Sequence, residues 1–272
     1  MSSVFDVTVA AEKLWPLAGA EVWDRPGLIA GSTLANCDSV LLSVDVTLDV
    51  IDEAIESGCN MIVSHHPFLL GFEHELTFES AKGSVLAKAI SHDIALYSAH
   101  TNADVVADGV SDDLAKAFGL TRPRPLVEGP IAGEGHGRFA ELAEPTTLLE
   151  FSRLVARALP PTAAGVRIAG DANALIRRVA LCGGSGGSFI EAAFAQGADV
   201  YVTSDLRHHT TSDAIEAAKA AGRDFALIDI SHWAAESIWL GTAQKQLQAA
   251  LGDVKFVVSD LRTDPWDFAV TQ

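Results

Sequence analysis

Two adjacent histidines and a nearby carboxylate are the first residues of this chain that could bind metal ions. His65 and His66 stand in the segment Ser-His-His-Pro, after a short apolar run typical of a strand. Adjacent side chains point apart, so the pair suits two metal ions, or one ion and one hydrogen bond, better than joint chelation of one ion. Asp104 follows His100 by four residues, and its two carboxylate oxygens can bridge two cations. Taken singly, these residues also suit surface, capping or turn positions.

A second pair of candidate ligands, His232 and Glu236, stands in the segment Ser-His-Trp-Ala-Ala-Glu. Their spacing puts both side chains on one face of a helix, where they can share a metal ion, although ordinary helical pairs have the same spacing. Three imidazoles and two carboxylates form a mixed nitrogen and oxygen set. Such a set suits a centre of two divalent ions drawn from Zn, Fe, Mn, Co or Ni. The five candidate ligands are His65, His66, Asp104, His232 and Glu236.

Three further histidines, His100, His208 and His209, are candidates for proton transfer or for contact with an anion. The last two follow a predicted strand, where they either approach a substrate or lie in a solvated loop. The glycine-rich segment 183–188 lies between a predicted strand and a predicted helix. Its backbone N–H groups suit either an anion or a tight turn, and it lacks the lysine of a nucleotide-binding P-loop.

The elements that must position these residues occur twice along the chain. Segment 39–64 predicts a strand, a helix and a second strand, and segment 178–204 repeats the pattern without a gap. Segments 93–100 and 224–231 supply a second match in the same order. Ordered matches of this kind indicate an internal duplication. The matched positions include Val40 with Val179, Leu42 with Leu181, Gly58 with Gly197 and Val63 with Val202.

We therefore predict an α/β fold of two similar β-α-β-type domains that arose by internal duplication. In parallel sheets, functional groups collect beyond the carboxyl ends of the strands, so the metal site is expected there, between the two domains. The Pro- and Gly-rich segment 121–139 predicts a linker or crossing loop. The predicted N-terminal half is 1–126, with the HHP and HTNxD motifs. The predicted C-terminal half is 127–272, with the GGSGG and HxxxE motifs.

Composition narrows the possible partners. The 272-residue chain has a formal net charge of −17, which argues against nucleic-acid and anionic-membrane surfaces because both need clustered cations. Cys37, Cys59 and Cys182 have no CxxC spacing and predict neither a disulfide framework nor a thiolate zinc site. Since the sequence shows no signal-peptide pattern and no apolar run long enough to span a bilayer, we expect a cytoplasmic protein. The metal-binding residues lead us to expect a small-molecule substrate as its partner.

Over its whole length the sequence resembles the type-2 GTP cyclohydrolase I family, also called the NGG-interacting-factor-three-like family. The resemblance rests on ordered blocks spread along the chain. These blocks are WDRPGL (23–28), LLSVDVTLDVIDEAIESGCNMIVSHHP (41–67), YSAHTNADVVADGV (97–110), GRFAEL (137–142), RVALCGGSGGSFI (178–190), ADVYVTSDLRHH (198–209), SHWAAE (231–236) and TDPW (263–266).

The resemblance implies a dinuclear metal site whose ligands are the five residues already chosen. It also implies two similar α/β domains and a toroidal homohexamer with sites facing an internal cavity. The chain is similar to the short form of the family, without a central insertion. The sequence departs from the family pattern at Ser231, which replaces a usual Gly, and at Thr203-Ser204-Asp205, which replaces Thr-Gly-Glu.

Two functions follow as expectations. The first is a dinuclear metal-dependent hydrolase of a small nucleotide-like or phosphate-bearing substrate, with GTP cyclohydrolase chemistry implied by the family. The alternative is a non-catalytic metal-binding ring scaffold or a regulatory interaction protein. The two differ in coordination, because a catalytic ion keeps an open position whereas a structural ion is fully ligated by the protein.

Overall fold

The structure is a computed structural model that describes residues 1–71, 73–131 and 133–270. It contains two compact units, each with its own sheet. The first unit comprises Met1–Ala103 and Leu240–Thr263, and the second comprises Asp104–Trp239 and the described residues from Asp264 on. The predicted α/β fold with two similar domains is confirmed.

The first part of the chain contains α1 (Val4–Leu14), β1 (Gly27–Ala30), β2 (Ser39–Ser43), α2 (Leu48–Glu56), β3 (Met61–Ser64), α3 (Ala81–Ser91), β4 (Ala95–Ser98), α4 (Thr101–Val105) and α5 (Val110–Ala117). The chain continues with β5 (Thr121–Glu128), β6 (Gly135–Thr147), α6 (Leu148–Ala158), β7 (Arg167–Ala169), β8 (Leu175–Leu181), α7 (Ile190–Ala195), β9 (Val200–Ser204), α8 (His208–Ala220), β10 (Ala226–Ile230), α9 (His232–Ser237), α10 (Leu240–Ala250) and β11 (Lys255–Val258).

The sheet of the first unit has the strand order β1-β4-β3-β2-β11. Strands β4, β3, β2 and β11 run parallel, and β1 pairs antiparallel with β4 at the edge. Every residue of β2, β3 and β4 is buried, as expected for parallel strands with both faces covered. Leu41, Ile62 and Leu96 pack with Ile51 of α2 in one apolar core.

The sheet of the second unit has the strand order β5-β6-β8-β9-β10-β7. Only the central β8, β9 and β10 are parallel among its described strands. The linker predicted for 121–139 is wrong, because this segment forms β5 and the start of β6, which pair antiparallel. Prolines are tolerated in β5 because it is an edge strand, and the buried Leu126 and Phe139 hold both strands to the core. Residue 132 of the predicted linker lies outside the described residues.

The two sheets repeat one arrangement, which supports the predicted duplication. Val40 of β2 pairs with Met61 of β3, and Val179 of β8 pairs with Val200 of β9, so the repeated segments share one register. A third parallel strand follows in each sheet, β4 next to β3 and β10 next to β9. A short antiparallel strand then forms the edge, β1 next to β4 and β7 next to β10. A helix precedes each of these edge strands, α1 and α6 respectively.

The boundaries of the compact units differ from those of the predicted halves 1–126 and 127–272. Strand β11 pairs with β2, which returns the segment from Leu240 to the first unit. Helix α5 belongs to the second unit, where Phe118 at its end meets Phe151 of α6 edge to face at 6.3 Å. A single boundary between residues 126 and 127 would separate β11 from its partner strand β2, and α5 from the core of the second unit.

Within the described part of the chain, no helix combines the length and the apolar character needed to cross a bilayer.

Candidate metal centre

Three histidines of the first unit lie together at the carboxyl ends of two neighbouring strands. His65 and His66 follow β3, and His100 follows β4. The His65 ring centroid lies 5.2 Å from that of His66 and 5.3 Å from that of His100. One ring nitrogen from each side chain can be chosen so that all three lie within 4.8 Å of one another. The parallel pairing of β3 and β4 creates this cluster, because it brings the two strand ends to one edge of the sheet.

An acceptor faces the Nδ1 atom of each of these rings. The carbonyl oxygen of Ala99 lies 2.8 Å from Nδ1 of His65, and Oδ1 of Asp45 lies 2.7 Å from Nδ1 of His66. Oδ2 of Asp24 lies 3.0 Å from Nδ1 of His100. An acceptor at Nδ1 favours the tautomer protonated there, which leaves the Nε2 lone pair able to bind a metal or a proton. The cluster therefore fits a nitrogen-ligated divalent cation.

Asp24 is the most firmly held of these acceptors. Its side chain is buried and accepts hydrogen bonds from the backbone N–H and the hydroxyl of Thr101, at 3.1 and 2.6 Å. Burial alone would raise the pKa of Asp24, but the adjacent His100 imidazole and the hydrogen bonds from Thr101 lower it to about 2. Asp24 is therefore ionised at neutral pH and orients His100.

Sequence reasoning missed Asp24 and Asp45 as partners of the histidines. Asp24 stood inside the WDRPGL block, which carried the family resemblance but no assigned role. Asp45 follows β2 by two residues, so the strand-end criterion that selected the histidines would have found it. The hydroxyl of Thr263 also donates a hydrogen bond to Asp45.

The second unit carries His232 and Glu236 on the short helix α9. The predicted spacing brings Nε2 of His232 to 2.9 Å from Oε1 of Glu236. Oδ2 of Asp205 lies 2.7 Å from the Nδ1 atom of His232. Ser231, which stands where the family usually has Gly, caps α9 by accepting the N–H of Ala234.

The electrostatics at α9 favour a positive charge. The Glu236 side chain is only 3% exposed, and a buried carboxylate is costly unless a cation neutralises it. Burial by itself lowers the pKa of His232, but the charge of Glu236 and the hydrogen bond to Asp205 outweigh burial and raise the pKa to about 11. The carboxylates of Glu236 and Asp205 thus provide the negative surroundings that a divalent cation needs.

The glycine-rich segment 183–188 leaves space for the side chains of His232 and Glu236. Gly184 has a φ of +66°, and a Cβ atom there would lie 2.6 Å from Oε1 of Glu236 and 3.3 Å from Nε2 of His232. Thr203 fixes the turn, since its hydroxyl donates to the carbonyl of Gly184 and accepts the N–H of Gly186, both at 2.9 Å. The segment therefore forms a tight turn packed against His232 and Glu236, which is one of the two interpretations predicted from the sequence.

Asp104 is half-buried on α4. Burial first, and then the charges of Asp104 and Glu236, raise the pKa of Cys182 to about 12. Both carboxylates therefore act on the same thiol, which is neutral at physiological pH and unsuited to nucleophilic attack.

His208 and His209 begin α8 and are exposed, with ring centroids 5.2 Å apart. Among the described residues, neither belongs to a group of donors close enough to share an ion. Their predicted part in proton transfer or anion contact stays a prediction.

The fold and these donors define a class of protein: a two-unit α/β protein with histidines and carboxylates clustered at the carboxyl ends of parallel strands. A family model described as Duf34/NIF3 (NGG1p interacting factor 3) matches residues 2–265. The chain belongs to this family.

Relatives and solved structures agree with the family assignment. A Streptomyces coelicolor protein named GTP cyclohydrolase 1 type 2 homolog is 41% identical over 273 residues, covering 98% of this chain and 94% of that protein. The Mycobacterium tuberculosis protein of the same name is 28% identical, and its alignment needs 370 residues to cover 96% of this chain and 96% of that protein, so this chain is the shorter form. The structure of a Bacillus cereus protein related to NIF3 has a TM-score of 0.89 at 25% identity, covering 98% of this chain and 99% of the other.

Proposed function

We propose that this protein is a dinuclear metal-dependent hydrolase of a small nucleotide-like or phosphate-bearing substrate. The observation that carries the proposal is the acceptor at Nδ1 of His65, His66 and His232, which would leave their Nε2 atoms available to a metal. Outer hydrogen bonds of this kind are typical of metal-ligating histidines. The proposed ligands of the two ions are His65, His66, Asp104, His232 and Glu236, and the proposed metals are Zn, Fe, Mn, Co or Ni.

The two units supply complementary donors. The first unit contributes the imidazoles of the HHP motif, and the second contributes two carboxylates and one imidazole. A pair of ions needs an anionic group that can bridge them, and Asp104 and Glu236 are the candidates for that role. We therefore propose that ligands from both units are required for a complete centre.

When bound, divalent ions at such a centre polarise an electrophile and acidify water. The chain's own residues orient the reaction. Asp45 and Asp205 hold His66 and His232 in place through Nδ1. His100 is the proposed proton carrier, because Asp24 occupies its Nδ1 side and leaves Nε2 to take or give a proton.

GTP is the first substrate to test, because curated relatives carry the name GTP cyclohydrolase 1 type 2 homolog. The expected reaction is hydrolytic opening of the guanine imidazole ring with release of formate. Purified protein loaded with each candidate metal in turn is incubated with GTP, while formate and residual GTP are measured. We expect turnover in at least one metal form and none in a His65→Ala, Glu236→Ala double variant. Unchanged GTP and no formate with every metal would reject GTP as the substrate.

The alternative function is a non-catalytic metal-binding ring scaffold or regulatory interaction protein. The family description, NGG1p interacting factor 3, refers to an interaction with another protein and is the reason for this alternative. The same double variant separates the two functions. Normal assembly with loss of turnover supports the enzyme, whereas loss of assembly without any measurable turnover in the parent protein supports the scaffold. Sedimentation velocity of the purified protein tests the proposed toroidal homohexamer directly.

A cytoplasmic location also remains a proposal. All three cysteines are free and buried, which suits a reducing compartment. Cell fractionation of the native protein tests it.

A further inference from the structure

An exposed tryptophan stands beside the histidine cluster of the first unit. Trp23 is 59% exposed, and its ring centroid lies 5.8 Å from that of His100 with the ring planes at 76°. In this edge-on contact, His100 covers at most one face of the indole. Single exposed aromatic side chains are common on protein surfaces. What distinguishes Trp23 is its ring contact with His100, one of the clustered histidines.

The backbone around Trp23 is fixed on both sides. The N–H of Glu21 donates to the hydroxyl of Thr101 at 3.0 Å, and Thr101 in turn donates to the buried carboxylate of Asp24. The guanidinium of Arg25 donates to the carbonyl oxygen of Val22 at 2.8 Å. Trp23 thus lies in a segment held by hydrogen bonds, so that this segment loses little conformational entropy when a ligand packs against the indole.

We propose that Trp23 is a stacking platform for a planar heteroaromatic group, and therefore a residue that determines substrate specificity. This inference rests on the proposed function, because it places the aromatic part of a nucleotide-like substrate against the first unit's histidines. An indole stacks on any nucleobase through its π face. In a chain with a net charge of −17, stacking provides recognition that does not depend on clustered cations.

Adjacent residues of one loop would then have divided roles. Asp24 is buried and orients His100, while Trp23 remains at the surface and selects the ligand. The proposal predicts recognition of the planar ring itself. It predicts no contribution of Trp23 to the binding of a phosphate chain that lacks a base.

The test compares Trp23→Ala, Trp23→Phe and the control Phe78→Ala, which removes another aromatic side chain of the first unit that is 77% exposed. Calorimetric titrations of the metal-loaded full chain use GTP, ATP, CTP and inorganic tripolyphosphate as probes. We expect Trp23→Ala to raise the Kd for the nucleotides by about fivefold to hundredfold, as typical for removal of an aromatic stacking partner. Trp23→Phe and Phe78→Ala should stay within about threefold, and tripolyphosphate binding should not change with any variant.

A fluorescence measurement adds a direct readout. Nucleotide binding should quench part of the tryptophan emission in the parent protein, and that part should be absent in Trp23→Phe. Equal losses for nucleotides and tripolyphosphate, an unchanged nucleotide Kd in Trp23→Ala, or no nucleotide binding by the parent protein would overturn the proposal. A changed sedimentation coefficient with unchanged nucleotide binding would instead assign Trp23 to a subunit contact. The formate assay is independent: nucleotide binding that depends on Trp23 without turnover would retain the platform and reject the hydrolase.

Discussion

At the scale of single residues, the candidate centre depends on carboxylates that hold histidines rather than on ligands alone. Asp24, Asp45 and Asp205 face the Nδ1 atoms of His100, His66 and His232 respectively. A carboxylate in this position fixes the ring orientation and increases the basicity of the imidazole. These contacts fix the orientation of each imidazole ring and therefore the direction of its Nε2 atom.

Asp205 tests this principle cleanly, because its backbone has a φ of +57°, a conformation that Asn adopts readily. Asp205→Asn should therefore leave the backbone intact and remove only the charge facing His232. We expect metal affinity to fall roughly tenfold to hundredfold, because the carboxylate no longer orients and polarises the His232 ring. Competition titration with a chromogenic chelator measures the affinity.

The matched control is Asp93→Asn. Asp93 has a φ of 54°, is exposed and lies after α3, away from the candidate ligands in the sequence. It should leave metal affinity unchanged. Equal affinities for Asp205→Asn and the parent protein would show that the carboxylate does not support His232.

Asp24 predicts a defined dependence of stability on pH. Its pKa falls from 3.8 to about 2 on folding, so the ionised form stabilises the folded state above pH 4. That contribution is lost as the pH falls from about 4 towards 2. Asp24→Asn should cost about 2 kcal/mol at pH 7 and little near pH 2. Urea unfolding at both pH values checks this, with the exposed Asp38→Asn as the control; a cost for Asp24→Asn that does not depend on pH would contradict it.

At the scale of elements, the turn after β8 sets the space around α9. Gly184 combines a left-handed backbone with a position against Glu236 and His232, whereas Gly222 has a φ of +64° with no atom within 4 Å of an added Cβ. Gly222→Ala should therefore cost only the backbone strain, about 1 to 2 kcal/mol. Gly184→Ala should cost more and should also displace the ligand pair.

The prediction is checked by urea unfolding together with the metal content of the purified variants. Gly222→Ala should keep the metal content of the parent protein, whereas Gly184→Ala should lose at least one ion per chain. If both variants keep the same metal content, the turn does not control the ligand pair.

Elements with local patterns could be predicted from the sequence, and elements that depend on distant pairing could not. The strands before His65 and before His208 showed continuous apolar runs, and the repeat revealed their common register. Strand β5 was missed because its prolines indicate a loop unless the strand is known to lie at a sheet edge. Strand β11 pairs with β2 from more than two hundred residues away, a relation that no local pattern contains.

In the candidate site, too, the residues with local patterns could be predicted and the contacts between distant residues could not. The five proposed ligands came from spacing and from positions at strand ends, both of which are local. The contacts of Asp24 with His100 and of Asp205 with His232 join residues that are far apart in the sequence, and a lone Asp in a loop has many ordinary uses. Gly184 was recognised as part of a glycine-rich turn, but the reason for the glycine is the neighbouring carboxylate of α9.

At the scale of the whole molecule, the proposed function requires that ligands from the two units hold the same ions. Metal that binds only the folded chain stabilises it by about 2.7 kcal/mol at a hundredfold excess over the Kd. We therefore expect the thermal midpoint of chelator-treated protein to rise on addition of the bound metal. The exposed His92→Ala should leave that rise unchanged.

A double-mutant cycle of His65→Ala and Glu236→Ala decides between shared and separate ions. Ligands of one shared centre are strongly coupled, so each single variant should remove most of the metal-induced rise and the double variant should add little. Ligands of separate ions, one in each unit, should give losses that add. Additive losses would overturn the proposed dinuclear centre and would leave the histidine cluster of the first unit and the His232–Glu236 pair as separate sites. Loss of the rise in His92→Ala would show that the assay reports general destabilisation rather than ligand removal.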